Sequence, residues 1–196
     1  VIRSFDDNGV VVNTVYSSSQ EMFGQFFIDG NYLYVEQYSS VFVRYLVVYY
    51  LQSGIEIQRI SVPNRIVDIL SYNDNQCLFL EQNSSNIKIN MYDRNSNVSW
   101  NLNTLNNDTI NDAEFVSGKG LYFVSNNGLM MYNVENNILT NPIDNTSFKK
   151  IKYDRLNKDL YLLTNNEIWL YSTISGQHQT ISSNVNLEDV LLFYNK

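Results

Sequence analysis

The feature that most constrains this chain is a recurrence of about forty residues. Four segments open on leucine, run through aliphatic and aromatic residues and end in a polar turn: Leu33-Tyr34-Val35-Glu36-Gln37, Leu78-Phe79-Leu80-Glu81-Gln82, Leu121-Tyr122-Phe123-Val124-Ser125-Asn126-Asn127 and Leu160-Tyr161-Leu162-Leu163-Thr164-Asn165-Asn166. Their leucines stand 45, 43 and 39 residues apart. A second anchor keeps the same beat one strand later, at Tyr50, Tyr92, Tyr132 and Tyr171. Each tyrosine is followed by a turn signal: Ser53-Gly54, Asn95-Ser96-Asn97, Glu135-Asn136-Asn137 and Ser175-Gly176. A fixed period of this length means tandem copies of one supersecondary unit. Each copy is too small to bury its own apolar surface and must stack on its neighbours to do so.

Within a copy the pattern reads as four strands. Before each leucine comes a strand-like run and a tight turn of Asn, Asp, Gly or Lys: Asp29-Gly30-Asn31, Asn73-Asp74-Asn75, Gly118-Lys119-Gly120 and Asn157-Lys158-Asp159. Asn, Asp and Gly tolerate the positive φ that hairpin turns require. After each tyrosine a fourth segment follows, such as Ile55-Glu56-Ile57-Gln58-Arg59-Ile60, whose alternation predicts a half-buried edge strand. Helical periodicity is absent, there are two prolines, and β-branched and aromatic residues are frequent, so the chain reads as all-β. The predicted units span about 20–62, 64–104, 111–143 and 147–184 of a single domain, 1–196.

The ends fit the same repeat. Phe5 stands 45 residues before Tyr50, so the opening reads as the third and fourth strands of a further unit. The closing segment, Glu188-Asp189-Val190-Leu191-Leu192-Phe193-Tyr194-Asn195-Lys196, reads as a first strand. Residues 1–18 and 186–196 are therefore expected to share one split unit. The absence of a leading methionine suits a processed form or a part of something longer.

The segment from Leu121 to Asn133, Leu-Tyr-Phe-Val-Ser-Asn-Asn-Gly-Leu-Met-Met-Tyr-Asn, resembles the LY-x-x-T-x-x-G-L-x-x-Y-D blade of bacterial sensor and cell-surface β-propellers. The resemblance extends over nearly the whole chain but names no particular family. There is no Trp-Asp dipeptide and no paired-glycine signature, and the fourth copy has Glu167 where the pattern has glycine. It implies a β-propeller of four complete four-stranded blades plus one split between the termini, five-bladed or a fragment of a larger ring. It also implies that first strands line a channel, where Gln25, Asp68, Glu114, Lys150 and Asp189 would ring one mouth. Such a ring would be either a site for a cation or basic group or a water-filled structural channel. The tyrosine anchors are expected between blades rather than at a ligand.

Other chemistry is sparse. Thirteen basic against twenty acidic residues give a net charge of -7, which repels a phosphate backbone and argues against nucleic acid as a partner. The longest apolar stretch, Val41 to Leu51, is interrupted by Arg44 and too short to span a bilayer. Cys77 lies in an apolar run and reads as a core residue. His178, the one histidine, sits in a polar segment, so neither histidine metal ligation nor a Ser/Cys-His triad is expected. Asp6-Asp7-Asn8-Gly9 lacks the spacing of a calcium loop and reads as a turn. Asp108, Asp112 and Glu114 read as a solvated acidic loop, and the four Asn-x-Ser/Thr triplets follow from abundant asparagine. No metal or cofactor is expected.

What remains are polar loops between second and third strands, with Tyr38, Asn83, Asn86, Asn126, Asn127, Asn165 and Asn166. Ser- and Asn-rich loops offer adaptable hydrogen bonding. The sequence therefore predicts a non-catalytic binding module or interaction platform for a protein or glycan partner. The competing readings are a structural subunit whose incomplete blade is completed by another chain or by further sequence, and an enzyme acting at the channel mouth. The low charge and the resemblance tilt toward an extracytoplasmic or cell-surface setting.

Overall fold

The structure, a computed structural model, describes residues 2–5, 8–15, 20–41, 43–84, 86–106, 109–183 and 188–192. Among these residues all regular structure is β, and no helix is present. Strands β1 (Ile2–Phe5) and β2 (Val11–Val15) form a two-stranded sheet. Four four-stranded sheets follow in chain order. The first contains β3 (Glu21–Asp29), β4 (Tyr32–Ser39), β5 (Arg44–Tyr50) and β6 (Ile55–Val62). The second contains β7 (Arg65–Asn73), β8 (Gln76–Gln82), β9 (Asn86–Asp93) and β10 (Val98–Asn106). The third contains β11 (Asp112–Val116), β12 (Gly120–Val124), β13 (Gly128–Asn133) and β14 (Ile138–Asp144). The fourth contains β15 (Lys150–Asp154), β16 (Asp159–Leu163), β17 (Glu167–Ser172) and β18 (His178–Ser183). Each sheet is an antiparallel meander whose strands lie in sequence order.

The chain divides into two compact units, residues 1–83 with 88–101 and residues 84–87 with 102–196. In the first, adjacent residues of β4 and β5 serve opposite faces. Leu33, Val35, Val47 and Tyr49 pack with Ile2, Phe23 and Tyr45, whereas Tyr34, Leu46 and Val48 pack with Ile66, Ile69, Cys77, Phe79 and Tyr92 of the next sheet. Successive side chains of a strand point to opposite faces, so a strand buried on both sides reads as a continuous apolar run. That is why the leucine-led anchors do not alternate. Burial pushes the Cys77 thiol well above its usual pKa, as suits a core cysteine.

In the second unit Val116, Tyr122, Val124, Leu129 and Ile143 pack against Phe148, Ile151, Leu160, Leu162 and Tyr171 of the following sheet. Each such side chain contributes about 1.5–3 kcal/mol when fully buried.

The hairpins follow from local chemistry. Five residues beyond the buried tyrosine of each sheet the backbone turns left-handed, at Gly54, Asn97, Asn137 and Gly176. Where the residue is asparagine its side chain accepts the tyrosine hydroxyl, Tyr92 to Asn97 at 3.4 Å and Tyr132 to Asn137 at 3.0 Å. The residue after the tyrosine caps the turn: Asp93 Oδ1 accepts the Ser96 N–H, and Asn133 Oδ1 accepts those of Glu135 and Asn136.

The structure shifts three expectations. Tyr49, not Tyr50, pairs with the blade leucine Leu33, as Tyr132 pairs with Leu121 and Tyr171 with Leu160. Tyr50 lies on the other face and is only half-buried, because neighbouring residues of a strand face opposite ways. Glu36 and Glu81, expected at the start of polar turns, lie inside β4 and β8 and are buried. In β6, Ile55 and Ile57 are exposed, and the ladder shifts register between Val48 and Tyr49, so a bulge overrides the simple alternation. At the termini, residues 188–192 carry no strand, and residues 184–187 and 193–196 lie outside the described part.

Candidate functional site

Within the second unit the first strands β11 and β15 lie side by side and are cross-linked by charge. Lys152 Nζ stands 3.3 Å from Glu114 Oε1, and Lys150 Nζ stands 4.0 Å from Asp112 Oδ2, which also accepts the Ile151 N–H at 3.1 Å. Burial raises the Glu114 pKa, with the Lys152 ammonium opposing it. Burial works to lower that of Lys152, but the carboxylates of Glu114, Asp112 and Asp189 outweigh it and hold the ammonium above its usual range.

The register separates these residues more finely than the sequence did. Glu114 pairs with Tyr122, one step beyond the blade leucine, and Lys152 with Tyr161 holds the same rung. Lys150 pairs with Leu163, three steps beyond, a rung it shares with Asp112. In the first unit Asp68 pairs with Leu80, two steps beyond and so on the opposite face. Gln25 is exposed and falls in the irregularity between Phe23 and Phe26. The hairpin turn fixes the rung, and counting from it brings in Asp112 and Lys152.

The loop ends differ from sheet to sheet. In the first unit Tyr38 is the penultimate residue of β4, with the Arg44 guanidinium 4.8 Å over its ring. Arg44 Nη1 donates to Glu36 Oε1 at 2.6 Å, and the same oxygen accepts the Ile66 N–H at 2.9 Å. Gln37 donates to Glu21 and accepts the Tyr49 hydroxyl at 2.8 Å. Asn83 follows β8 in this unit; Asn86 opens β9 in the other.

In the second unit Asn126, Asn127, Asn165 and Asn166 all lie in turns between second and third strands. The turn after β12 is tied to the connection leading into β15. Asn127 O accepts the Asn145 N–H at 2.9 Å, Ser125 O accepts that of Phe148 at 3.1 Å, and Asn126 Oδ1 accepts the Ser147 hydroxyl at 3.1 Å. Asn111 Nδ2 donates to Phe148 O at 2.7 Å.

Beside this knot opens a cleft of about 500 Å³, lined by Asn145, Thr146, Ser147, Thr164, Asn166, Glu167 and Trp169. Thr164 Oγ1 accepts the N–H groups of Asn166 and Glu167, which fixes the turn. Trp169 Nε1 donates to Glu167 Oε2 at 2.7 Å. The indole is itself held edge-on to Phe148, centroids 5.7 Å apart, and stacked on His178 at 5.4 Å. Asn166 belonged to the expected loop set. Glu167 and Trp169 did not, and the signal for Glu167 was its place where the repeat has glycine.

No family model matches the sequence, and no curated protein matches it. Solved structures do match. A WD40 propeller chain in a structure of the mitotic checkpoint complex aligns with TM-score 0.71 at 15% identity, over 92% of this chain and 57% of that one. A protein of unknown function from Bacteroides thetaiotaomicron aligns with TM-score 0.64 at 11% identity, over 84% of this chain and 44% of that one. The extracellular domain of a protein described as a one-component system of B. thetaiotaomicron aligns with TM-score 0.63 at 14% identity, over 92% of this chain and 23% of that one. Together with the four meander sheets these similarities define an all-β protein of the β-propeller class. At such identities they speak to fold alone. This chain spans between about a quarter and somewhat over half the length of those neighbours.

Proposed function

We propose that the chain is a non-catalytic binding module that holds a protein or glycan partner at the loops joining the second and third strands of its blades. The supporting observation is the polar cleft of the fourth sheet, where neighbouring loops gather amides, hydroxyls and one carboxylate on a scaffold of β-strands. Tyr38 and Asn83 in the first unit, and Asn86, Asn126, Asn127 and Asn165 in the second, offer polar groups of the same kind at or beside the equivalent loops. In the second unit Glu114 and Lys150 serve as a polar first-strand surface without turnover. The setting is extracytoplasmic; one structural neighbour is an extracellular domain, and among the described residues no helix is long and apolar enough to cross a membrane.

The test is binding of the full chain to arrays of glycans and of secreted proteins, beside a variant carrying Asn126→Ala, Asn127→Ala, Asn165→Ala and Asn166→Ala. A loss of tenfold or more for the variant is expected, since several contacts of about 1 kcal/mol are removed. A partner bound equally by both proteins would refute the loop assignment. Turnover of any array compound, abolished by neutralising Asp68, Glu114 and Asp189, would establish an enzyme instead.

A second reading, the structural subunit, draws on the exposed apolar face of β3. Phe26 is 61% exposed and Ile28 53%, both on the side of β3 that pairs with Val35 and Leu33. Surfaces of this kind mark association sites. Sedimentation at low concentration decides: a 22.8 kDa monomer counts against the subunit.

A further inference from the structure

We propose that the cleft of the fourth sheet takes an uncharged, hydroxyl-rich ligand, a neutral glycan, with Asn145, Asn166 and Glu167 as its recognition residues. This rests on the binding-module reading above and names the ligand class for one site. At about 500 Å³ the cleft falls within the size of small-molecule sites.

Its lining decides the chemistry. Asn145, Thr146, Ser147, Thr164 and Asn166 are neutral and both donate and accept hydrogen bonds, and no lysine or arginine lines the cleft. An anionic ligand would meet Glu167 without a compensating cation. A peptide would need an apolar pocket for its anchor side chains, and the lining provides none. Trp169 is engaged by its neighbours: its N–H is given to Glu167 and its ring is stacked on His178.

Two features make the lining suited to vicinal hydroxyls. The exposed side chains of Asn145 and Asn166 line the cleft, and each amide offers a donor and an acceptor to a ligand. The Glu167 carboxylate is oriented through one oxygen by the neutral indole N–H, leaving the other to accept from a sugar hydroxyl. Hydrogen bonds to an ionised acceptor are the stronger kind. Holding these groups on a fixed turn lowers the entropic cost of binding.

Titration calorimetry of the full chain with neutral oligosaccharides of glucan, mannan, galactan and xylan type tests this, with polygalacturonate and a sulfated oligosaccharide as charged controls. At least one neutral series should bind. Glu167→Gln, which keeps the acceptor for Trp169, and Asn166→Ala should each weaken it about tenfold, as for loss of one good hydrogen bond. Asn145→Asp, which retains an asparagine-like turn preference, should weaken it less, and Lys119→Ala, in the exposed turn between β11 and β12, should leave it unchanged. Unaltered circular dichroism and thermal midpoints establish that the variants fold. No neutral binding, preference for the charged controls, or binding indifferent to Glu167 and Asn166 would overturn the proposal. If the chain then still captures a protein through the loops, the binding module survives and the glycan does not; if it captures nothing, both fall.

Discussion

Three residues beyond the blade leucine, the first two sheets bury an acid, Glu36 and Glu81, where the last two bury an aliphatic, Val124 and Leu163. The pairing makes Glu36 equivalent to the aliphatics: Glu36 faces Leu46, Val124 faces Leu129 and Leu163 faces Ile168. The aliphatics need only contact, but each buried carboxylate recruits donors from elsewhere in the chain. Glu36 takes Arg44 and the Ile66 backbone, joining two sheets. Glu81 takes the Asn64 backbone and side chain on one oxygen and Asn90 on the other. A repeat thus tolerates a charge at a core register when polar partners come with it. The cleft of the fourth sheet lies by a sheet of the other kind, where the core register is apolar and polar groups are left to the turn.

The sharpest way to break this contrast is to strand a charge. Arg44→Met leaves Glu36 buried beside a single backbone donor and should cost about 3–5 kcal/mol in urea unfolding. Adding Glu36→Leu, which copies the fourth sheet, should recover most of it. A double variant as unstable as the single one would show that the carboxylate is needed for more than its own satisfaction.

The next effect concerns room. A Cβ at Gly24 would collide with Glu36 Oε2, so Gly24→Ala should cost about 1–3 kcal/mol through overpacking. In a Glu36→Leu background, without that oxygen, the penalty should shrink. Equal penalties in both backgrounds would place the clash elsewhere.

The smallest effect is a pH slope. Burial, opposed by the Asn64 backbone N–H, raises the Glu81 pKa from its ordinary 4.5. A raised carboxyl pKa means that the folded state holds its proton more tightly than the unfolded one. The stabilisation is full below pH 4.5 and is lost as pH rises through the folded-state value. Glu81→Gln should flatten the fall in unfolding free energy above that pH, leaving the share from Glu114, whose pKa is also raised by burial. An unchanged slope would mean that Glu81 titrates normally.

Much of this was legible in the residues. The leucine and tyrosine anchors, the Asn/Gly turns and the uninterrupted apolar runs announced an all-β chain of four-stranded repeats, because each depends on local backbone preference and on period. The candidate site was legible only in part. Asn166 was expected in a polar loop because loops announce themselves by composition, whereas Glu167 stood out only as a departure from the repeat, and Trp169 carried no signal of its own. Glu36 and Glu81 were visible as charges but not as buried ones, since burial depends on Arg44, Ile66, Asn64 and Asn90, which are distant along the chain.

What the sequence determined by itself is the repeat and its all-β character: period, turn chemistry and two-faced apolar strands are properties of short stretches. What only the tertiary structure decided is register and company. A one-residue step moved the packing tyrosine from Tyr50 to Tyr49 and split Asp68 from Glu114, because adjacent strand residues face opposite ways. It also decided which polar groups meet, at Asp112 with Lys150, at Glu36 with Arg44, and around the cleft of Asn145, Asn166 and Glu167. Those meetings depend on folding distant segments together, which local preference does not encode.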